Sequence, residues 1–239
     1  MELCIWLTFV FLMSIAGAIV ACVLNEKVII RNISLLSGIA AGVMLATTIW
    51  SLLIPAFEYD QNNILIILSF LIGFVLLLIV EIAFEKNKLD CCIGENKTYF
   101  AITLHNIPEG LIIGVGFGVC AVTDATYGAV ALALAIGIQN FPESLSLSIL
   151  LKEKGKSNFK VFLLNFISAI VEPVFGIVGY FLSYNIMTML GSVLGITAGM
   201  MLYVILSEVI IEALEENKTL GMIGVLLGFS VMTVLEKYL

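Results

Sequence analysis

Eight long apolar stretches, separated by short polar segments, constrain this chain more than any other feature. A bilayer core about 30 Å thick requires roughly 20 mostly apolar residues for each spanning helix. Of the 239 residues 61% are hydrophobic, and the mean hydropathy of +1.15 lies outside the range of soluble domains. We therefore predict an all-α integral membrane protein, a single domain over residues 1–239, with spans at 4–24, 29–56, 63–84, 98–120, 125–151, 159–184, 187–212 and 219–237.

Basic residues indicate how these helices are oriented, because cytoplasmic segments of membrane proteins are enriched in Lys and Arg. Of the 11 basic residues, only Lys237 falls outside the segments that follow the odd-numbered helices and their flanks. The other ten are Lys27, Arg31, Lys86, Lys88, Lys97, Lys152, Lys154, Lys156, Lys160 and Lys218. This asymmetry predicts that both termini face outward.

Three glutamates, Glu109, Glu143 and Glu172, lie well inside predicted spans. An ionised side chain at the bilayer centre costs about 2.5–3.5 kcal/mol, so the three together would cost roughly 8–10 kcal/mol without compensation. No Lys or Arg lies in the interior of the same spans, since Lys160 is at the cytoplasmic edge of its helix. The compensating positive charge must therefore come from protons or from metal.

Two short motifs repeat around these glutamates. His105 and Glu109 in "HNIPEG" are four residues apart, as are Gln139 and Glu143 in "QNFPES". Residues four apart share one face of a helix. Each motif therefore predicts a pair of metal-ligating side chains that point the same way.

Each motif also contains an asparagine and a proline at matching positions. Asn106 and Asn140 add amide oxygens beside the two pairs. Pro108 and Pro142 lack an N–H group, which bends a helix and frees backbone oxygen for polar contacts. Because adjacent spans run in opposite directions, the motifs form an inverted internal repeat, which in transporters places a substrate site near the bilayer midplane.

The side chains of these motifs favour metal but leave other functions open. Carboxylates, one imidazole and amide oxygens suit divalent zinc, iron, manganese or cadmium, and they suit copper(I) poorly because it prefers sulfur. A proton relay and a proton- or cation-coupled carrier of an organic solute are alternatives, although the spans contain no deep basic residue for an anionic solute. A membrane enzyme that activates water at two metal ions is another, although one histidine in the chain argues against it.

At these motifs the sequence resembles the ZIP (Zrt/Irt-like protein) family of divalent metal transporters, and within it the bacterial GufA-like branch. "HNIPEG" is similar to the family signature of the fourth helix, and "QNFPESLSLSILL" to that of the fifth. Further similar segments are "AAGVMLATTIWSLLIPAFE", "VEPVFGIVGYFL", "AGMMLYVILSEVIIEA" and the ending "LGFSVMTVLE".

The resemblance implies a fold and a site. Helices one to three and six to eight would be related by a pseudo-two-fold axis, with helices four and five between them, a 3+2+3 arrangement. One half of a binuclear metal site would comprise His105, Glu109, Gln139 and Glu143. The other half would comprise Asn106, Asn140 and Glu172, sharing Glu109 and Glu143.

The resemblance also implies a transport pathway, which would include Met44, Ser51, Met201 and Glu208. The sequence departs from the family pattern at Gln139, where many relatives have histidine, and at Asn140, where some have aspartate. The usual histidine-rich cytoplasmic loop is absent, and Cys91 and Cys92 occupy that loop instead. Their role as plain thiols or as metal-handling groups stays open.

These observations together predict a transporter rather than an enzyme. It would import divalent metal, zinc foremost and also cadmium, iron or manganese, across the inner (plasma) membrane by alternating access. The metal ion and the lipid bilayer are the expected partners, and nucleic acid is not. The small residues Gly38, Ala41 and Gly42 permit tight packing within or between protomers, which leaves a homodimer open.

Overall fold

A computed structural model describes residues 2–23, 26–60, 62–86, 97–123, 126–186 and 189–238, and within these ranges it contains eight long helices and no strand. The bounds of six are α1 Glu2–Val23, α3 Asn63–Lys86, α4 Lys97–Thr123, α5 Thr126–Glu153, α6 Asn158–Ile186 and α8 Lys218–Tyr238. Helix α2 comprises Glu26–Thr47, a π-helical turn Thr48–Leu53 and Ile54–Tyr59. Helix α7 comprises Leu190–Val204, a π-helical turn Ile205–Val209 and Ile210–Glu215.

These helices coincide with the eight predicted spans. Seven of them are long and apolar enough to cross a membrane, and α4 contributes the shorter apolar stretch Asn106–Val119. Large apolar side chains face outward, most densely along α3, where Ile64, Leu68, Leu71 and Ile72 are exposed. An apolar outer surface of this extent fits lipid, and the prediction of an all-α membrane protein is confirmed.

Four pairs of helices run parallel and in close contact: α1 with α5, α2 with α8, α3 with α7, and α4 with α6. Glycines allow these approaches, because a Cβ atom on Gly42 would overlap the carbonyl of Val225, and one on Gly114 would overlap the carbonyl of Gly176. Gly38 likewise lies against α8 at Gly221. The small residues of α2 therefore pack within the protomer.

The pairs assemble into two groups of four helices. We call α1, α4, α5 and α6 the first bundle, and α2, α3, α7 and α8 the second bundle. In the described part of the chain, every close approach of a glycine to another helix joins helices of the same bundle. The bundles meet chiefly where α2 contacts α5 and where α4 contacts α7. Among the described residues, no glycine approach joins the two bundles across this interface.

The contacts also follow a two-fold pattern. Exchanging α1 with α6, α2 with α7, α3 with α8, and α4 with α5 converts the α2–α8 pair into α7–α3 and the α1–α5 pair into α6–α4. The related helices α2 and α7 each contain a π-helical turn, closed by bonds from Ile54 N–H to the Ile49 carbonyl and from Ile210 N–H to the Ile205 carbonyl. This pattern agrees with the expected 3+2+3 arrangement.

The chain termini lie at one face of the molecule, which we call the terminal face. Helix α1 runs parallel to α5 and α8 runs parallel to α2, and the start of α5 meets the end of α8 around one cavity. The opposite face contains the end of α5 and the start of α6, where Lys152 Nζ donates to the Ala21 carbonyl of α1 over 2.7 Å. The start of α1 and the end of α8 therefore lie at the same face of the described structure.

Candidate metal site

The three predicted glutamates converge inside the first bundle, one each from α4, α5 and α6. Glu109 and Glu172 are completely buried, and Glu143 is partly exposed. The charges of Glu109 and Glu143 both act on Glu172, which places the three carboxyl groups within electrostatic range of one another. Such a group needs positive charge to be stable in a membrane.

A glycine sets the spacing between two of these carboxylates. Gly110, the residue after Glu109, lies against the backbone carbonyl of Glu172, and a Cβ atom there would overlap it. Gly114 repeats the contact one turn later against Gly176. The backbones of α4 and α6 are therefore in close contact from the level of the two glutamates onward.

Two amide side chains from α5 contact these carboxylates. Gln139 Nε2 donates to Glu109 Oε1, and Asn140 Nδ2 donates to Glu172 Oε2 over 2.7 Å. The buried oxygens Gln139 Oε1, Asn140 Oδ1 and Glu172 Oε1 have no hydrogen-bond partner. A buried oxygen without a donor is costly, and a cation between these oxygens would remove that cost.

The Asn106 side chain is hydrogen-bonded to Ser168 of α6. Its Nδ2 donates to the Ser168 carbonyl over 2.9 Å and to Ser168 Oγ over 3.1 Å, and Thr103 Oγ1 also bonds Ser168 Oγ over 3.1 Å. Because both amide protons face Ser168, the Asn106 carbonyl oxygen is directed elsewhere and stays available as a ligand. The sequence analysis missed Ser168, although it lies four residues before Glu172 on the same helical face.

A second polar network lies beside the site between α5 and α6. Ser144 Oγ donates to Asn165 Oδ1 over 2.8 Å, and Asn165 Nδ2 donates to Ser148 Oγ over 3.0 Å. All three residues are buried. The network fixes α5 to α6 just after Glu143 and so fixes the position of that glutamate.

Some predicted ligands fall outside the described residues. The backbone of His105 lies in α4, four residues before Glu109, but the position of its side chain is not described. Cys91 and Cys92 lie outside the described residues altogether. In the described part of the chain, no three His, Cys, Asp or Glu side chains form a metal-holding group by themselves. The candidate site therefore combines carboxylates with the amide side chains of Gln139 and Asn140, which bond Glu109 and Glu172.

The prolines do not interrupt the helices that hold the site. Pro108, Pro142 and Pro173 all lie inside continuous helices. Each lacks the N–H group that would bond the carbonyl four residues earlier. A carbonyl near each glutamate is therefore left without its usual helical donor.

The expected pathway residues occupy different environments. Ser51 lines a cavity of about 180 Å³ at the terminal face. Met44 and Met201 are buried and pack in the same apolar cluster as Ile112, which forms part of the cavity wall. Ile112 lies one helical turn after Glu109 on α4, so an apolar wall of the cavity lies close to the site in the chain.

The other side of the site is lined by acidic groups. Glu208 lies in the π-helical turn of α7 and is partly exposed, as is Glu212 one turn later. The charges of Glu143 and Glu208 both act on Glu212, which connects the site with the end of α7. The carboxylates of Glu208 and Glu212 therefore lie between the site and the end of α7.

Comparison with known proteins decides the family. A family model described as ZIP zinc transporter matches residues 93–236, more than half of the chain. The chain belongs to the ZIP zinc transporter family.

Individual ZIP relatives cover different shares of the chain. Human zinc transporter ZIP11 (Homo sapiens) is 42% identical over 139 residues, which are 57% of this chain and 41% of the relative. Zinc transporter ZupT of Chlorobium chlorochromatii is 29% identical over 239 residues, 88% of this chain and 86% of the relative. Zinc transporter GufA of Myxococcus xanthus is 37% identical over 143 residues, 57% of this chain and 52% of the relative. The chain thus spans about two fifths of ZIP11 but most of ZupT, and all three names describe transporters rather than enzymes.

Two acidic residues of this ZIP protein were missed in the sequence. Glu212 follows Glu208 by one turn, and Glu236 lies in the last predicted span and lines the cavity with Ser51. Both are carboxylates within or at the end of apolar stretches, so the rule that identified Glu109 could have identified them. Their positions relative to the site depend on how the helices pack.

Proposed function

We propose that this chain transports divalent metal, zinc foremost, through a site formed by Glu109, Glu143 and Glu172 with the amide oxygens of Gln139, Asn140 and Asn106, and with His105. The observation that carries this proposal is the group of buried oxygens without hydrogen-bond donors beside buried carboxylates. The names of the relatives support zinc as the substrate. The oxygen-rich ligand set also accommodates cadmium, manganese and iron.

Charge balance supports one or two metal ions at a time. Three ionised glutamates have a charge of −3, which one divalent ion reduces to −1 and two convert to +1. Glu109 and Glu143 bridge the two positions in a binuclear arrangement, with Asn106, Asn140 and Glu172 on the second. Protons compete with metal for the same carboxylates, so uptake should fall when the solution becomes acidic.

Alternating access uses the division into two bundles. All proposed metal ligands belong to the first bundle. The expected pathway residues belong to the second bundle, which contacts the first through α2 and α7. Because close glycine contacts stay within each bundle, the interface between bundles can slide while each bundle keeps its packing. Motion of the first bundle relative to the second would expose the site alternately to the two faces.

The distribution of Lys and Arg supports the terminal face as the outer face, and metal then moves from the cavity toward Glu208 and the cytoplasm. We place the protein in the inner (plasma) membrane as one domain over residues 1–239. A homodimer would require a surface other than Gly38 and Gly42, because α8 covers both.

Metal content and uptake, measured together, test this function. Purified protein is analysed for bound zinc, cadmium, manganese and iron, and uptake into proteoliposomes is compared between wild type and Glu143→Ala. We expect bound zinc and uptake in wild type, and loss of both in the variant. Glu216→Ala, which removes an exposed carboxylate beyond the end of α7, is the matched control and should behave as wild type.

Other outcomes would favour the alternative functions. Proton flux without bound metal would indicate a relay, and sodium- or proton-driven uptake of an organic solute would indicate a carrier of that solute. Hydrolytic activity that depends on Glu143 would indicate a dimetal enzyme. Each of these results, without zinc uptake, would overturn the transport proposal.

A further inference from the structure

The first bundle consists of two glycine-packed helix pairs, and the proposed metal ligands are divided between them. The α4–α6 pair contains Glu109 and Glu172, and the α1–α5 pair contains Glu143 with the amides Gln139 and Asn140. Glycines hold the two helices of each pair at backbone contact. The size of the space between the ligands therefore depends on how the two pairs are joined.

Side chains, and not glycines, join α5 to α6. In the described part of the chain, no glycine approach connects these two helices, and α1 contributes apolar contacts to α6. One hydrogen bond connects Asn140 to Glu172. A second connection is the network of Ser144, Ser148 and Asn165. Because the first connection is made by proposed ligands, the network is the one that does not depend on how a metal ion is bound.

Asn165 is the centre of this network. Its Oδ1 accepts from Ser144 Oγ over 2.8 Å, and its Nδ2 donates to Ser148 Oγ over 3.0 Å and to the Val161 carbonyl over 2.9 Å. Ser148 Oγ in turn donates to the Ser144 carbonyl over 2.7 Å. The Asn165 side chain is 2% exposed, and both of its amide hydrogens and its oxygen are bonded. A buried amide bonded in this way is held rigidly.

The network lies beside the carboxylates on both helices. Ser144 directly follows Glu143 on α5, and Asn165 precedes Glu172 by seven residues on α6. Residues seven apart lie on the same face of a helix, two turns from each other. The bonds of Asn165 therefore set the separation of Glu143 from Glu172.

We propose that Asn165 selects among divalent cations by size, because it holds the ligands of α5 at a fixed separation from those of α4 and α6. Selectivity among cations depends on the size and the flexibility of a site. The larger cadmium ion needs more space than zinc, and α5 can move away from α6 only if the network breaks. Asn165 acts through the two serines and is a positioning residue. This inference rests on the proposed transport function, because it concerns the selectivity of the same site.

Equilibrium binding of zinc and of cadmium supplies the test. Asn165→Leu keeps the approximate volume of the side chain and removes its bonds to α5. Zinc affinity should fall about tenfold, the smaller of the losses typical for groups that orient metal ligands, whereas cadmium affinity should change less than about threefold. The purified full-length protein is titrated with each metal in competition with a fluorescent indicator. The ratio of the two affinities is the quantity compared, because a general loss of structure would lower both.

Asn158→Leu is the matched control. Asn158 has the same side chain and lies two turns before Asn165 on the same helix, but its Nδ2 donates to the Cys22 carbonyl of α1 over 3.4 Å, and Asn158 is exposed. The ratio of zinc to cadmium affinity should be that of wild type in this variant.

A triple variant separates positioning from folding. Asn165→Leu combined with Ser144→Ala and Ser148→Ala replaces the whole network by apolar groups and leaves no polar side chain of the network without a partner. Thermal unfolding in detergent should then be close to wild type. The affinity ratio should stay as low as in Asn165→Leu alone, and a return to the wild-type ratio would contradict the role of the network.

The outcomes distinguish this inference from the proposed function. An equal fall in zinc and cadmium affinity, or an equal shift of the ratio in Asn158→Leu, would overturn the role of Asn165 even if the wild type takes up zinc. A lowered ratio in a protein that binds both metals and takes up neither would support the role of Asn165 and reject the transport function. A wild type that binds neither metal would reject both.

Discussion

The two bundles have the same helix packing but differ in the polar side chains that they bury. Each bundle consists of two parallel, glycine-mediated helix pairs, and the two-fold pattern relates the halves of the chain. Among the described residues, the first bundle nevertheless buries carboxylates and amides. The polar side chains that the second bundle buries there are hydroxyls, such as those of Ser34, Thr47 and Thr197. The carboxylates of Glu208, Glu212 and Glu236 in the second bundle are partly exposed, as is Glu143 in the first, whereas Glu109 and Glu172 of the first bundle are completely buried.

This difference indicates a division of roles. Buried carboxylates need protons or a cation to balance their charge, so the proposed metal site belongs to the first bundle. A bundle that keeps its carboxylates at partly exposed edges can line the routes to and from the site without binding metal at its centre. The repeat has therefore diverged in function while keeping its packing.

The largest expected effect is on zinc binding, and it distinguishes the buried carboxylates of the first bundle from Glu208 of α7. Glu109→Ala and Glu172→Ala should each weaken zinc binding by about 100-fold, the upper range for loss of an important metal-site group. Glu208→Ala should weaken equilibrium binding much less and mainly slow uptake. Isothermal titration with zinc, together with uptake rates, checks this, and equal binding losses for Glu208 and Glu172 would contradict the division of roles.

Cross-links should also act differently within and between bundles. Ala46 of α2 and Ala135 of α5 are buried in one cluster at the interface, so a cysteine pair there should stop most uptake once it is joined. Cys22 of α1 lies beside Asn158 of α6 within the first bundle, so Asn158→Cys gives a matched pair that should leave uptake nearly unchanged. Uptake is measured before and after a thiol cross-linker and again after its reversal. Full activity of the linked Ala46 and Ala135 pair would argue against sliding bundles.

Glycine substitutions should destabilise both bundles but affect metal binding in only one. Gly110→Ala and Gly42→Ala each place a methyl group against a backbone carbonyl, and overpacking of this kind typically costs about 1–3 kcal/mol. Thermal unfolding in detergent should show similar losses. Zinc affinity should fall for Gly110→Ala alone, because that change separates Glu109 from Glu172. A comparable loss of affinity in Gly42→Ala would show that the bundles are coupled more tightly than we infer.

The smallest expected effect concerns a single hydroxyl. Ser168→Ala removes one of the two acceptors that orient Asn106, and it should weaken zinc binding about threefold to tenfold, in the lower range for residues that orient a ligand. Ser34→Ala removes the acceptor of the Asn217 N–H in the second bundle and should leave zinc affinity unchanged. Competition with a fluorescent zinc indicator resolves this difference. Wild-type zinc affinity in Ser168→Thr would confirm that the affinity depends on the hydroxyl group at this position and not on the volume of the side chain.

The sequence by itself determined the helices and predicted most of the candidate ligands. Apolar length is a local property, so eight spans could be counted, and the i, i+4 spacing of His105 with Glu109 and of Gln139 with Glu143 is set by the helix itself. The sequence also placed Glu172 inside a span, and the family resemblance assigned it to the second half of the site and added the 3+2+3 arrangement. Glu212, Glu236 and Ser168 are isolated polar residues whose significance depends on which side chain of another helix they meet.

Only the tertiary structure decided which helices form pairs and where the molecule divides. A glycine in an apolar stretch shows that another backbone can approach, but not which one, and Gly42 meets α8 whereas Gly114 meets α6. The amide of Asn140 could likewise have bonded any nearby group, and it is the packing of α5 against α6 that directs it to Glu172. Local spacing is set by backbone geometry within a few residues, whereas these contacts depend on the register of helices that are far apart in the chain.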